Sequence, residues 1–159
     1  MPRPSSFTDD TENNELAIHV ADMLVREIDL GQRVEPSAAA ALFSMRAAPA
    51  ADIVAFYEAE SGRSDSAYDF DRAEWAINRI GYAMLREGRI DDAVAVFALN
   101  VCEHPSSANA HDSLGNAYLE RGDLDAALSS NGRVLEPEPS SQNARAMIER
   151  IETARGSGS

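Results

Sequence analysis

The sequence predicts an all-α protein that folds as a solenoid of helix–turn–helix pairs, with about eight helices. The main observation is an uninterrupted repeat, because small residues and prolines return at a spacing of 34: Gly81, Gly88, Ala93 and Pro105 recur as Gly115, Gly122, Ala127 and Pro139. A second observation is the helical spacing of apolar residues such as Ile77, Ile80 and Met84. Repeats of this length indicate units that bury their apolar faces by stacking on one another.

The repeated glycines predict two different features. Gly81 and Gly115 fall in the middle of a predicted helix, where glycine costs about 1 kcal/mol relative to alanine. They therefore predict that a second helix crosses close to each of them. Gly88 and Gly122 follow the first helix of each pair, and we expect both in the left-handed conformation that ends many helices.

Each second helix also has a predicted beginning and end. Asp91 and Asp125 come shortly after the helix-ending glycines and are expected to be N-caps, whose side chains accept hydrogen bonds from free backbone N–H groups. Pro105 and Pro139 are expected to end the second helices, because proline cannot continue the helical hydrogen-bond ladder.

The C-terminal part departs from the repeat in two places. Asn131 stands where the first pair has Phe97, and we expect it at an edge or against a partner outside this chain. The segment that begins at Gln142 is predicted to be a terminal capping helix with a polar outer face rich in Glu and Arg. Its apolar side consists of Ala144, Met147, Ile148 and Ile151.

The predicted domain organisation has four parts. Residues 1–14 are polar and expected to be disordered, and residues 155–159 are expected to be a flexible tail. Residues 15–70 are predicted to form an N-terminal helical cap, with helices at 15–30, at 37–46 and from Pro49 to about 60. Residues 71–154 are predicted to hold two repeats, at 74–107 and 108–141, followed by the capping helix. The helix at 15–30 is expected to pack on the cap or to self-associate.

The period and the repeated residues resemble the tetratricopeptide repeat. The resemblance implies a non-enzymatic module that binds a peptide or protein in a concave groove lined by the first helix of each pair. Groove positions then fall on Trp75, Asn78, Tyr82 and Arg86 in the first repeat, and on Asn109, Asp112, Asn116 and Glu120 in the second. The third helix would add Asn143 and Arg150.

The groove residues suggest how a partner would be held. Asparagine carries both a donor and an acceptor, so it suits the backbone of an extended peptide. Trp75 and Tyr82 are candidate aromatic anchors, with the alternative that both pack on the preceding helix around 49–60. Repeat domains that hold acidic C-terminal tails of chaperones need a basic residue where Asp112 stands. We therefore expect no binding of such acidic tails.

A second resemblance covers about two thirds of the chain, from Pro36 to Pro139. This stretch is similar to the C-terminal helical region of bacterial serine hydrolases of the penicillin-binding and β-lactamase-like class. Ser-x-x-Lys and Gly-x-Ser-x-Gly motifs are absent from the sequence, so the hydrolytic activity is not implied. The alternative function is therefore a structural or self-associating accessory domain, and a homodimer stays open. The matching residues are Tyr68, Asp69, Phe70, Asn78, Gly81, Tyr82, Phe97, Asn100, Pro105, Asp112, Ser113, Leu114 and Gly115.

Composition narrows the class of partner. The net charge is −13, from 27 acidic and 14 basic residues, which argues against nucleic acids and anionic membranes as partners. All of the basic residues are arginine, so chemistry that needs a lysine, such as a Schiff base or a phosphate-loop lysine, is excluded. The single cysteine, Cys102, rules out an internal disulfide. A cytoplasmic protein is the expectation from these features.

Three groups of residues are candidates for a catalytic or metal-binding site. Cys102 and His104 lie two apart and point to different faces of one helix, so Cys102 is interpreted as a packing residue. His111, Asp112 and Ser113 are consecutive, whereas a catalytic triad requires side chains that converge in space. The histidines lack metal-ligand spacing. We therefore expect no catalytic residues, no metal and no cofactor.

Overall fold

The protein is described by a computed structural model over residues 37–156, and this stretch is entirely helical apart from turns. The all-α prediction is confirmed for these residues, which hold seven helices. The helix expected at 15–30 and the disorder expected at 1–14 lie outside the described residues, as does most of the expected tail. The helices are α1 (Ala38–Ser44), α2 (Ala50–Ser61), α3 (Ala73–Arg86), α4 (Ile90–Glu103), α5 (Ala108–Arg121), α6 (Leu124–Val134) and α7 (Gln142–Gly156).

The helices stack as antiparallel pairs, as expected of a tetratricopeptide-like solenoid. Within the pairs, α3 packs on α4 and α5 packs on α6. Between neighbouring pairs, α4 packs on α5 and α3 also touches α5. At the N-terminal end α1 packs on α3 and α2 packs on α4, and at the other end α7 packs on α6. The first helices of successive units therefore lie side by side.

The predicted helix boundaries are close to the observed ones, with corrections at two starts. Pro49 is the residue before α2 and has extended ψ (145°), so it is not the first helical residue. The helix α3 begins at Ala73, because Asp71 and Arg72 still form a turn. Ser37 and Asp69 make a backbone bridge, in which Ala38 N donates to Asp69 O at 2.8 Å. This bridge fixes the start of α1 beside the segment that leads into α3.

Close helix crossing at the mid-helix glycines is confirmed. A Cβ atom at Gly81 would lie 2.5 Å from ring carbons of Phe97, and one at Gly115 would lie 2.6 Å from Nδ2 of Asn131. Phe97 and Asn131 occupy the same repeat position on α4 and α6. The prediction that Asn131 lies at an edge is wrong, because its side chain is 1% exposed and fills the space that Gly115 leaves.

Left-handed glycines end the first helices, but the predicted N-caps are wrong. Gly88 and Gly122 have φ values of 75° and 84°, as expected. Asp91 and Asp125 lie inside the first turn of α4 and α6, so neither can be the cap. The cap of α6 is Asp123, whose Oδ1 accepts from Ala126 N at 3.3 Å.

At the equivalent position in the first repeat, Arg89 precedes α4 and makes no side-chain cap. Its guanidinium donates instead to the backbone oxygens of Arg46 and Ala48 and to the carboxylate of Asp92. The same repeat position thus caps a helix in one unit and holds the α1–α2 connection in the other.

The second helices also end differently in the two repeats. Pro105 follows α4 closely, since α4 ends at Glu103. Pro139 does not end α6, which stops at Val134 and is followed by turns. The helix α6 is therefore shorter than α4, with 11 residues against 14.

The cap assignment gives a prediction for two neighbouring aspartates. Asp123→Ala should lower the free energy of unfolding by about 1 kcal/mol, because a backbone N–H of α6 loses its acceptor. Asp125→Ala should cost only about 0.5 kcal/mol or less, because Asp125 is 79% exposed and only pairs with Arg155. Urea unfolding of the two variants measures the difference, and an equal loss would contradict the cap.

Candidate partner-binding face

The eight groove residues predicted from the sequence lie on α3 and α5. On α3, they recur at helical spacing on the side opposite the buried Ile77, Ile80 and Met84. These residues form a surface, called the first-helix face, together with Asn143 at the start of α7. Its members are Trp75, Asn78, Tyr82, Arg86, Asn109, Asp112, Asn116, Glu120 and Asn143.

A chain of hydrogen bonds crosses this face from α3 to α7. Asn116 Nδ2 donates to the Tyr82 hydroxyl at 3.2 Å and to Asp112 Oδ2 at 3.3 Å. Asn143 Nδ2 donates to Asp112 Oδ1 at 3.1 Å. A carboxylate only accepts, so these contacts fix the orientation of both amides. These hydrogen bonds therefore orient one side chain of α3, two of α5 and one of α7 relative to one another.

Asp112 is the one ionisable carboxyl group among these four hydrogen-bonded side chains. Burial raises its pKa above the ordinary value, and the nearby carboxylate of Glu138 raises it further. The hydrogen bonds from Asn116 and Asn143 act in the opposite direction but do not reverse the shift. The ionised carboxylate is therefore less stable here than in water.

This shift predicts a pH dependence that Asp112→Asn removes. With a raised pKa in the folded state, protonated Asp112 contributes stability below the unfolded pKa, and this contribution is lost as pH rises through the folded pKa. From about pH 3 to about pH 7, the wild type should therefore lose stability relative to the Asn variant. Chemical unfolding of both proteins across this range measures the difference, and a difference that stays constant or reverses would contradict the shift.

Trp75 is placed by an aromatic neighbour on α1. Its ring stacks on Phe43 with ring centres 5.9 Å apart, and the Arg79 guanidinium lies 5.1 Å from the ring centre. The alternative that Trp75 packs on the helix at 49–60 is wrong in its detail, because Phe43 belongs to α1. The indole nevertheless remains 47% exposed, so it still offers an apolar surface at one end of the face.

Tyr82 combines packing with a polar contact. Its ring meets Phe97 edge to face, with ring centres 5.1 Å apart. Its hydroxyl is the acceptor for Asn116. Both the ring and the hydroxyl of Tyr82 are therefore held by contacts within the protein.

The other predicted groove residues differ in their exposure. Arg86, Asn109 and Glu120 are exposed, while Asn78 is half-buried. The Oδ1 atom of Asn78 is enclosed and receives no hydrogen bond from the described residues. Arg150, expected as a further groove residue, is exposed on α7.

Two residues that influence α5 or its side chains are not predicted by the sequence analysis above. Glu138 acts on Asp112 from the turns after α6, and no periodic signal marks a turn residue. Ser107 accepts from Ala110 N as the N-cap of α5. Pro-Ser-Ser occurs at 105–107 and again at 139–141, so the 34-residue register could have predicted this cap.

Cys102, His111 and Ser113 have different surroundings in the described part of the chain. Cys102 is exposed, so its interpretation as a packing residue is wrong. His111 Nε2 lies 2.9 Å from Pro105 O, whereas Ser113 is 1% exposed with a hydroxyl that lacks a partner among the described residues. These side chains diverge around α5, as the sequence predicted.

Two further properties concern residues 37–156 only. Within this range, three or more His, Cys, Asp or Glu side chains nowhere come together in a way that could hold a metal ion. Each helix here is too short or too polar to cross a membrane.

Comparison with known proteins supports the repeat class. The sequence is 30% identical over 83 residues, half of the chain, to the chloroplast tetratricopeptide repeat domain-containing protein PYG7 of Arabidopsis thaliana. The chain covers 28% of the length of that protein. No protein-family model matches the sequence. The similarity and the stacked helical pairs together support a tetratricopeptide-like protein, and neither bears on the resemblance to hydrolase C-terminal regions.

Proposed function

We propose that the protein is a non-enzymatic interaction module that holds a peptide or protein partner on the first-helix face. The observation that carries the proposal is the hydrogen-bonded chain from Tyr82 through Asn116 and Asp112 to Asn143. It orients polar groups from three helices on one surface before any partner arrives. Preorganisation of this kind lowers the entropy cost of binding.

The dimensions of the face suit a short extended segment. If neighbouring first helices lie about 8–10 Å apart, as packed helices do, α3 and α7 lie about 16–20 Å apart across α5. An extended chain advances about 3.3 Å per residue, and about five or six residues therefore cross the face. Trp75 would meet an apolar side chain at one end, and the amides would meet the backbone.

The proposal is tested by selecting peptides that need this face. A displayed library of random twelve-residue peptides is panned against the full-length chain, and affinities of selected peptides are measured by titration. Trp75 is the single tryptophan and is partly exposed, so its fluorescence reports binding on this side of the protein. Asn109→Ala/Glu120→Ala changes two exposed residues of the face and should weaken binding about tenfold or more.

A matched control lies on a second helix. Ser129 and Arg133 are exposed on α6, and Ser129→Ala/Arg133→Ala should leave affinity unchanged. Selected peptides that bind both double variants as tightly as the wild type would show that the face is not the binding site.

The alternative is a structural domain that associates with itself or with a separate hydrolase chain. Asn131 cannot supply that interface, because it is buried between α5 and α6. Self-association through the predicted helix at 15–30 stays a prediction. Light scattering on the full-length chain and on Val20→Glu/Leu24→Glu tests it, and a dimer that dissociates in the variant would favour this alternative over the adaptor.

A further inference from the structure

We infer that the partner of the first-helix face is a cationic peptide, with an arginine or lysine side chain that seats against Asp112. The inference rests on the proposed function and specifies the chemistry of its ligand. It is carried by the unmatched acceptors around Asp112 and by the charge of the surface that surrounds them.

Several aspartates of the structure have an arginine beside them, whereas Asp112 is held by amides. Arg121 pairs with Asp91 and Asp123, and Arg155 pairs with Asp125. In the described part of the chain, Asp112 forms no such ion pair and is held by amide groups alone. Its charge is therefore oriented but not neutralised.

Asp112 and the two amides that contact it keep unused hydrogen-bond acceptors. Both carboxylate oxygens accept from amides, and each oxygen keeps a further lone pair. The amides of Asn116 and Asn143 point their nitrogens inward to Asp112, and neither amide oxygen takes a hydrogen bond from residues 37–156. A ligand that completes this set must bring N–H groups.

The electrostatic surroundings favour a positively charged donor over a neutral one. Glu138 lies close enough to raise the pKa of Asp112, and Glu120 is a second exposed carboxylate on the same face. The whole chain carries a net charge of −13. A half-buried carboxylate is screened less by solvent than an exposed one, so it attracts a nearby cation more strongly. A guanidinium, with five N–H donors and no acceptor, matches the set best.

The experiment uses the peptides selected on the full-length chain. Among peptides that depend on the face, we expect enrichment of arginine and lysine. For the most enriched arginine peptide, replacing that arginine by citrulline keeps the shape and removes the charge. Affinity for the wild type should fall about tenfold or more, and much less for Asp112→Asn. Ser129→Ala/Arg133→Ala should respond to citrulline as the wild type does.

The outcomes separate this inference from the function on which it rests. Face-dependent peptides that are neutral or acidic, or that bind equally well with citrulline, would overturn the cationic partner and leave the binding face standing. Failure to select any face-dependent peptide would overturn both. The citrulline comparison is made on the wild-type protein, so it stays decisive if Asp112→Asn does not fold, which circular dichroism would show.

Discussion

Phe97→Ala is expected to lower the free energy of unfolding by about 3–5 kcal/mol, the usual loss for a buried phenylalanine. The Phe97 side chain is fully buried, lies against Gly81 and meets Tyr82 edge to face. Its removal leaves a cavity between α3 and α4 that the crossing helices cannot close. Single domains are commonly stable by only about 5–15 kcal/mol, so the loss would be a large part of the total.

Asn131→Ala is the matched comparison, because it changes the same position of the second repeat. The amide of Asn131 donates to Ala127 O, while its Oδ1 is buried without a partner among the described residues. The variant removes this unsatisfied acceptor together with one hydrogen bond, and a loss below about 1 kcal/mol is expected. Urea unfolding measures both variants. Equal losses at the two positions would mean that Phe97 does not fill the crossing as the structure describes.

Gly81→Ala is expected to lower the free energy of unfolding by about 1–3 kcal/mol, although alanine favours helices over glycine. The new Cβ would lie 2.5 Å from the Phe97 ring, which is fully buried and cannot swing into solvent. Either the ring must leave its position or α3 and α4 must separate. Both responses reduce contacts in the apolar core.

Gly132→Ala provides the opposite expectation on α6. A Cβ at Gly132 meets nothing within 4 Å. The backbone of Gly132 does not adopt the left-handed conformation, so alanine fits there without strain. Only the helix propensity changes, so the free energy of unfolding should rise by about 0.5–1 kcal/mol. Thermal and urea unfolding of the two variants test the contrast. A stabilised Gly81→Ala protein would show that helix crossing does not explain the repeated glycine.

The repeat register could be predicted from the sequence because its causes are local or recur at fixed spacing. The repeated glycines in mid-helix, Gly81 and Gly115, predict a close helix crossing, and both have one. A glycine after a helix signals the left-handed conformation, and Gly88 and Gly122 both adopt it. Helical periodicity likewise separated the buried stripe of α3 from its opposite side, from which the candidate face was predicted.

Four residues have surroundings that differ from those predicted from the sequence. Asn131 is polar and was expected at an edge, yet the space beside Gly115 draws it into the interior. Asp91 and Asp125 have the right chemistry for caps, but α4 and α6 begin before them. Cysteine is a residue type common in protein cores, yet Cys102 is exposed. The burial of Asn131 depends on Gly115, a neighbour that is not adjacent to it in sequence.

The sequence by itself determined the helical class and the 34-residue register, and it predicted a candidate face on the first helices. These follow from periodicity and backbone preference, which act over a few residues at a time. Only the tertiary structure decided that Asn116 and Asn143 hold Asp112, and that Trp75 stacks on Phe43. The physical reason is that burial, unpaired charge and hydrogen-bond partners depend on which helices stack side by side, and Asn143 reaches Asp112 across 31 residues of chain.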